Sequence, residues 1–273
     1  MRRFLFFILV LLFVVPAAPR FYAVRAEPAR GRVRLNVMSY NIHVGIGMDK
    51  KLDLKRIAEV IRRNRIDIVG LQEVDRNVER TGRVDEIKEL ARLTGMDYAF
   101  AHNLDYQGGQ YGVAVLSRFP ILAIDHRRYA NRRERERRGF IRVEIEVGGR
   151  RLNFVTTHLD YQWGEGRIFE AEQLLKALAD VRGPLLVVGD FNEEPPGGAY
   201  DMMLKAGFAD VWQSCPTCAQ DPAGGLTYPA DKPTKRIDYI FYRGLDDDEH
   251  ANASVPDTLA SDHRPLVVSL VLK

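Results

Sequence analysis

The chain has 273 residues, 46% of them hydrophobic, and a formal net charge of +3. That length accommodates one large domain or two small ones, and the apolar content excludes a disordered chain. The small net charge excludes any argument from bulk charge to a nucleic-acid partner, because only the local field at a groove matters.

Arg2 and Arg3 precede an unbroken apolar run from Phe4 to Val15, and small residues follow at Ala17, Ala18 and Ala26. This is the pattern of a secretory signal over residues 1–26. A helix from Phe4 to Ala18, rising about 1.5 Å per residue, falls short of the roughly 30 Å hydrocarbon core. An uncleaved N-terminal membrane anchor is the alternative. Both readings predict an exported protein, secreted or periplasmic, with residues 27–31 a linker and 32–273 one domain.

Past the linker, strand and helix patterns alternate. Val33 to Ser39 reads as a strand, and Leu54 to Arg63 as an amphipathic helix with Asp53 as N-cap. Asp67 to Leu71 is a buried strand, and Val84 to Leu93 a helix ending near Gly95. Strands are predicted over Tyr98 to His102, Gly112 to Leu116 and Ile121 to His126. Ile141 to Val147 and Arg151 to Thr157 flank Gly148-Gly149, a two-residue hairpin signal. Ile168 to Val181 is a predicted helix, Leu185 to Val188 a short buried strand, and Gly198 to Ala206 a further helix. Ile237 to Tyr242 and Leu266 to Leu272 are the last strands. A hairpin in the middle with helix-linked strands on both sides implies a mixed α/β (α+β) sheet system, not a doubly wound one.

Short polar clusters stand at the ends of these apolar runs: Tyr40-Asn41, Gln72-Glu73, Thr157-His158-Leu159-Asp160, Gly189-Asp190-Phe191-Asn192 and Ser261-Asp262-His263. Strand ends are where a rigid sheet aims side chains at one point. Glu73 offers a carboxylate suited to magnesium, which takes oxygen ligands. Alternation along an extended segment points Asp190 and Asn192 to one side, with Phe191 turned into the core. Asp190 would orient an attacking water and Asn192 would hold a phosphate oxygen. Asp262 and His263, adjacent in an extended chain, face opposite ways. One solution gives His263 the distant Asp238 as orienting carboxylate, makes its other nitrogen a proton acceptor, and leaves Asp262 for metal. His158 supplies a second imidazole for a phosphate oxygen. Together these residues are the equipment of a magnesium-dependent phosphate-ester hydrolase.

The series Tyr40-Asn41-Ile42, Leu71-Gln72-Glu73-Val74, Tyr111 to Arg118, Thr157-His158-Leu159-Asp160, Gly189-Asp190-Phe191-Asn192, Arg236 to Ile240 and Ser261 to Pro265 resembles the endonuclease/exonuclease/phosphatase superfamily, deoxyribonuclease I-like, from Asn36 to Leu272. The resemblance implies a four-layer sandwich, two mixed β-sheets packed face to face with helices outside. It implies catalytic roles for His158, Asp190, Asn192, Asp238 and His263, and phosphate contacts from Asn41, Asn192 and His158. It places Mg2+, or alternatively Mn2+, on Glu73 with Asp262 at or beside it. The histidine at position 158 is similar to deoxyribonuclease I, sphingomyelinases, inositol polyphosphate phosphatases and deadenylases. Abasic-site endonucleases carry Asn-x-Tyr there and are disfavoured. Several members support this histidine with a second acidic residue, for which the sequence offers no counterpart.

The expected substrate is a phosphate ester: a diester in nucleic acid or a phospholipid headgroup, alternatively a small monoester. A non-catalytic binding module is the rival class, and the presence of Glu73, Asp190 and His263 argues against it. No obligate protein partner is evident, and the oligomeric state is open. The arginine-rich run from His126 to Arg138, interrupted by Glu134 and Glu136, reads as a solvated, partly self-paired loop or as a phosphate-tracking patch. Arg138, beside Gly139, is expected to pack against the sheet, and Trp163 to line the cleft or pack under its loop. Cys215 and Cys218 are too few for a closed zinc site and are read as a local disulfide.

Overall fold

A computed structural model describes residues 32–131, 136–218, 224–245 and 250–272. The signal or anchor segment, the linker at 27–31 and Arg132 to Arg135 of the basic run lie outside the described residues. No helix among the described residues is long and apolar enough to cross a membrane.

Strand β1 (Val33–Asn41) runs parallel to β2 (Ile68–Arg76), joined by helix α1 (Leu54–Arg63). Asp53 caps α1 by accepting from the Lys55 N–H at 2.9 Å, and Leu54, Ile57, Ala58 and Ile61 form its buried stripe. Helix α2 (Glu86–Thr94) is capped by Asp85 and ends on Gly95, whose φ of 71° needs no Cβ. Strands β3 (Asp97–Tyr106) and β4 (Gly109–Ser117) follow as an antiparallel pair, and β4 pairs with β2.

The second half repeats this order. After β5 (Ile121–Arg128), β6 (Gly139–Val147) and β7 (Arg150–His158) close on Gly148 and Gly149, both at positive φ. Strand β7 runs parallel to β8 (Leu185–Asp190) through helix α3 (Gly164–Leu178). Helix α4 (Gly198–Lys205), the short β9 (Ala209–Asp210), helix α5 (Val211–Ser214) and β10 (Asp238–Arg243) come next, then β11 (His250–Ser254) and β12 (Leu266–Leu272).

Two six-stranded mixed sheets result, ordered β11-β12-β1-β2-β4-β3 and β5-β6-β7-β8-β10-β9. Position by position they match: each has a parallel pair, linked by a helix, set among antiparallel neighbours. Three hydrophobic clusters define the layers. One, with Val37, Ile68, Val115, Phe154, Val188 and Ile240, lies between the sheets. The second packs α1 and α2 on the first sheet, and the third packs α3 and α4 on the other. This is the expected four-layer sandwich.

Two predicted elements are corrected. Helix α3 starts at Gly164, not Ile168, and ends at Leu178. Asp160 accepts from the Gln162 and Trp163 N–H groups at 2.7 and 3.0 Å, a turn that launches the helix through glycines of poor propensity. Strand β2 continues to Arg76, well past Leu71. The strands β9 and β11 and the helix α5 gave no pattern long enough to read. Cys215 and Cys218 are joined in a disulfide, buried in the cluster between the sheets. Trp163 packs against Gly166 on the first turn of α3.

Gly70 is where the two sheets approach most demandingly: a Cβ there would overlap Val188 and Thr156 of the opposite sheet. Gly70→Val should therefore lower the unfolding free energy by about 1–3 kcal/mol, read by urea denaturation. A variant as stable as wild type would show that the sheets adjust without strain. A second prediction concerns Glu170 on α3, which accepts from the Asp160 N–H at 2.8 Å. Burial raises its pKa from the ordinary 4.5 to about 7, against the pull of that hydrogen bond. The folded state keeps its proton longer than the unfolded one, so stability falls as pH rises from the unfolded pKa through about 7. Urea unfolding at about pH 5 and about pH 8 should show wild type losing on the order of 1–3 kcal/mol more than Glu170→Gln. Identical pH dependence in the two proteins would reject this.

Candidate active site

The parallel pairs carry their carboxyl ends to the same end of the sandwich. Asn41 is registered opposite Gln72, and His158 opposite Asp190. Strand β10 runs antiparallel to β8 and begins with Asp238 opposite Asp190. Strand β12 pairs with β1, so the Ser261 to His263 segment before it arrives beside Asn41, whose carbonyl accepts from Ser261 Oγ at 2.7 Å.

Glu73 reaches the site through a bulge. The pairing of β2 with β4 slips between Leu71 and Val74, and Glu73 has a φ of 57°. Leu71 and Val74 both face the helical layer, three positions apart instead of two. The extra residue turns Glu73 out into the cleft, while Gln72 stays buried and donates to Thr156 Oγ1 at 2.9 Å. The sequence placed Glu73 at a strand end; the strand in fact runs on, and the bulge exposes the carboxylate.

At the centre is Asp190, which is buried. Its Oδ2 accepts from Asn41 Nδ2 at 3.0 Å, and its Oδ1 from the Asn192 N–H at 2.8 Å. The same Asn41 amide donates to Glu73 Oε1 at 3.1 Å. His263 Nδ1 donates to Asp238 Oδ2 at 2.9 Å, and Thr227 Oγ1 donates to the same oxygen at 2.6 Å. His263 Nε2 lies 3.7 Å from Asp190 Oδ2, and His158 Nε2 3.5 Å from it. Asn192 reaches Asp190's side, but not by strand alternation. Strand β8 has ended, and Asn192 sits in a turn at φ 50° with Phe191 fully buried beneath it. Gly189 is required there because a Cβ would overlap the Thr157 carbonyl.

These groups open on a cleft of about 570 Å³. Glu73, His158, Asp190, Asn192, Asp262 and His263 line it, with Arg80, Arg138, Tyr106, Tyr161, Tyr228 and Lys235 around them. The aromatic group that follows His158 into the cleft is Tyr161, not Trp163. Arg80 is held by Asp75 through two hydrogen bonds of 2.8 and 2.9 Å and lies over the Tyr106 and Tyr111 rings. Of the basic run, Arg127 pairs with Asp125, and Arg128 donates to the His102 carbonyl, so these two have local partners.

The electrostatics follow from burial. Burial, and then the charge of Asp238, raise the Asp190 pKa to about 7. Burial opposes the imidazolium of His263, but Asp238 and Asp190 outweigh it and raise that pKa to about 10. Two carboxylates beside one imidazole favour its charged form, while burial and the charge of Asp238 favour the protonated form of Asp190. The sequence paired His263 with Asp238 alone; the structure sets a second carboxylate, Asp190, 3.7 Å from Nε2.

Among the described residues, two donor sets at this cleft could hold a divalent ion. Asp190, Asp238 and His263 place ligand atoms within 4.8 Å of one another, but Nδ1 of His263 is committed to Asp238. Glu73 and Asp262 offer oxygen donors only, on a cleft open to solvent, and that chemistry fits a hard cation such as magnesium.

Sequence reasoning missed Thr227, Arg80 and Tyr228, which lie in loops or at bulges without a pattern. It read Arg138 as packing against the sheet or as the end of the basic run. Arg138 is buried, but its Nη1 lies 2.6 Å from His158 Nδ1. The hairpin register, Gly139 opposite His158, was the signal that could have found it.

Residues 38–263 match the endonuclease/exonuclease/phosphatase family. The uncharacterized protein YbhP of Escherichia coli strain K12 is 28% identical over 256 residues, 86% of this chain and 96% of that protein. An endonuclease/exonuclease/phosphatase structure from Beutenbergia cavernae superposes with a TM-score of 0.73 at 27% identity, covering 88% of this chain and 72% of that one. A mannosyl-6-phosphatase from Bacteroides thetaiotaomicron shares the fold, with a TM-score of 0.67 at 20% identity over 88% of this chain and all of that one. With its strand-end residues gathered on one cleft and its sheets in this order, the chain belongs to the endonuclease/exonuclease/phosphatase family, whose fold is that of phosphoester hydrolases.

Proposed function

We propose that the chain is an exported, magnesium-dependent phosphodiesterase that hydrolyses nucleic acid or a phospholipid headgroup by in-line attack of water. The observation that carries this reading is the buried chain Asp238–His263–Asp190 facing the cleft that Glu73 and Asp262 also line. Glu73 and Asp262 would hold the ion, which when bound neutralises charge on the phosphoryl oxygens. Manganese would fit the same donors.

Asp190 orients the attacking water and takes its proton. Its raised pKa suits a base working near neutrality. His263, carrying its proton towards the cleft with Asp238 behind it, stabilises the charge that develops on the phosphoryl group. Asn41 holds both Asp190 and Glu73 in place, so water orientation and metal position are set by one amide. His158 and Asn192 offer donors to a phosphoryl oxygen. The apolar run from Phe4 to Val15 supports export.

The test is hydrolysis of bis-p-nitrophenyl phosphate and p-nitrophenyl phosphate, each with magnesium and with EDTA. Metal-dependent turnover of the diester is expected, and preference for the monoester would move the assignment to a phosphatase. His263→Ala should lower turnover by about 10²–10³-fold, the loss for removing a donor to developing charge, and an unchanged rate in the folded variant would refute its role. In Glu73→Gln the magnesium titration should shift to higher concentration with little loss of stability. A superimposable titration would remove Glu73 as ligand.

A further inference from the structure

Arg138 is a buried charge, 4% exposed, that the reaction above leaves without a part. It stands immediately before β6, whose Gly139 is registered opposite His158. Its Nη1 lies 2.6 Å from His158 Nδ1 and 3.2 Å from Glu136 Oε1. A guanidinium has five N–H donors, no acceptor, and does not lose its proton in proteins. Nδ1 must therefore present its lone pair to Arg138. A neutral imidazole accepting at Nδ1 carries its proton on Nε2.

Of the two neighbours of Nε2, the carboxylate agrees with this and the amide does not. Asp190 Oδ2 is 3.5 Å away, a direction in which an N–H is favoured and a lone pair is not. Asn192 Nδ2 lies 3.0 Å from Nε2 and donates to the Leu159 carbonyl at 3.0 Å. With the proton on Nε2 the Asn192 amide cannot donate to the ring, so that N–H and the amide face each other as two donors without an acceptor between them. An oxyanion lying against both satisfies them, and the cleft lies at both residues.

We propose that Arg138 is a positioning residue that fixes His158 as the neutral Nε2–H tautomer, so that His158 is a hydrogen-bond donor to a phosphoryl oxygen and not an acid that gives up a proton. The proposal rests on the phosphoesterase reading only for the identity of that oxygen. A carboxylate on Nδ1, the support that the family resemblance led one to expect, would do the reverse: it would accept from Nδ1–H, raise the ring's basicity and leave Nε2 to be protonated. Charge points the same way. The groups facing His158 are Arg138 from before β6, Asp190 and Asn192 from the end of β8, and His263 from before β12. Burial, then Arg138 and His263, hold its pKa well below the usual histidine range.

Long-range proton–nitrogen correlation spectra of the full chain, labelled with nitrogen-15 histidine, read the tautomer directly, with His158→Gln assigning the signal. Wild type should show His158 protonated on Nε2 alone, unchanged from about pH 8 down to about pH 5. Arg138→Met should mix the tautomers, bring the His158 titration into that range, and lower kcat on a diester about 10–100-fold with a smaller change in KM. Arg138→Lys, still a donor without an acceptor, should restore the tautomer and most of the rate. A wild-type spectrum with the proton on Nδ1, or an imidazolium at neutral pH, would overturn the proposal whether or not Arg138→Met folds. An Arg138→Met protein with the wild-type spectrum would overturn it too. Should the spectra be as expected while no phosphoester is turned over, the tautomer assignment stands and the phosphoesterase reading fails.

Discussion

Burying a carboxylate without partners costs several kcal/mol, and the end of this sandwich is arranged around one such group, Asp190. An amide from the first sheet, a backbone N–H from its own turn, the His158 imidazole from neighbouring β7 and the His263 imidazole from before β12 surround its oxygens. The Asn41 bond crosses between the sheets. It ties the position of Asp190 to that of Glu73, so the carboxylate that would hold metal and the one that would handle water cannot move independently. The sheet interface supports this tie: without a side chain at Gly70, the strands beneath the site come close enough for Gln72 to bond Thr156.

The two histidines sit in opposite fields. His263 lies between two carboxylates, and its pKa rises to about 10. His158 lies against a guanidinium in a buried setting, and its pKa falls. Their Nε2 atoms approach the same Asp190 oxygen, at 3.7 and 3.5 Å. The surroundings thus favour the charged form of one imidazole and the neutral form of the other, a division set by what lies behind each ring and not by the ring itself.

The repeated order of the sheets explains why such a site arises here. Each sheet has a helix-linked parallel pair, and the carboxyl ends of both pairs reach the same end of the molecule. Asn41 and His158 occupy matching strand ends, as do the Gln72-Glu73 bulge and Asp190. The antiparallel neighbours β10 and β12 then bring Asp238 and His263 in from the opposite direction, which is how residues 25 apart come to share a hydrogen bond.

Much of this was written in the chain. The apolar runs, the Asp53 cap, the Gly148-Gly149 turn and the Gly95 helix end are local, and local patterns determine local structure because their partners lie within a few residues. The polar clusters named residues that the fold gathers on one cleft, and the opposed faces of Asp262 and His263 pointed His263 towards Asp238. Tertiary structure alone decided what acts between distant segments. A bulge, set by the pairing of β2 with β4, turns Glu73 outward. A left-handed turn, not strand alternation, places Asn192. A hairpin register brings Arg138 to His158, and a second carboxylate, Asp190, comes to stand against His263. Each of these depends on which strand lies beside which, and strand neighbours are chosen by burial across the whole fold, which no short stretch of sequence contains.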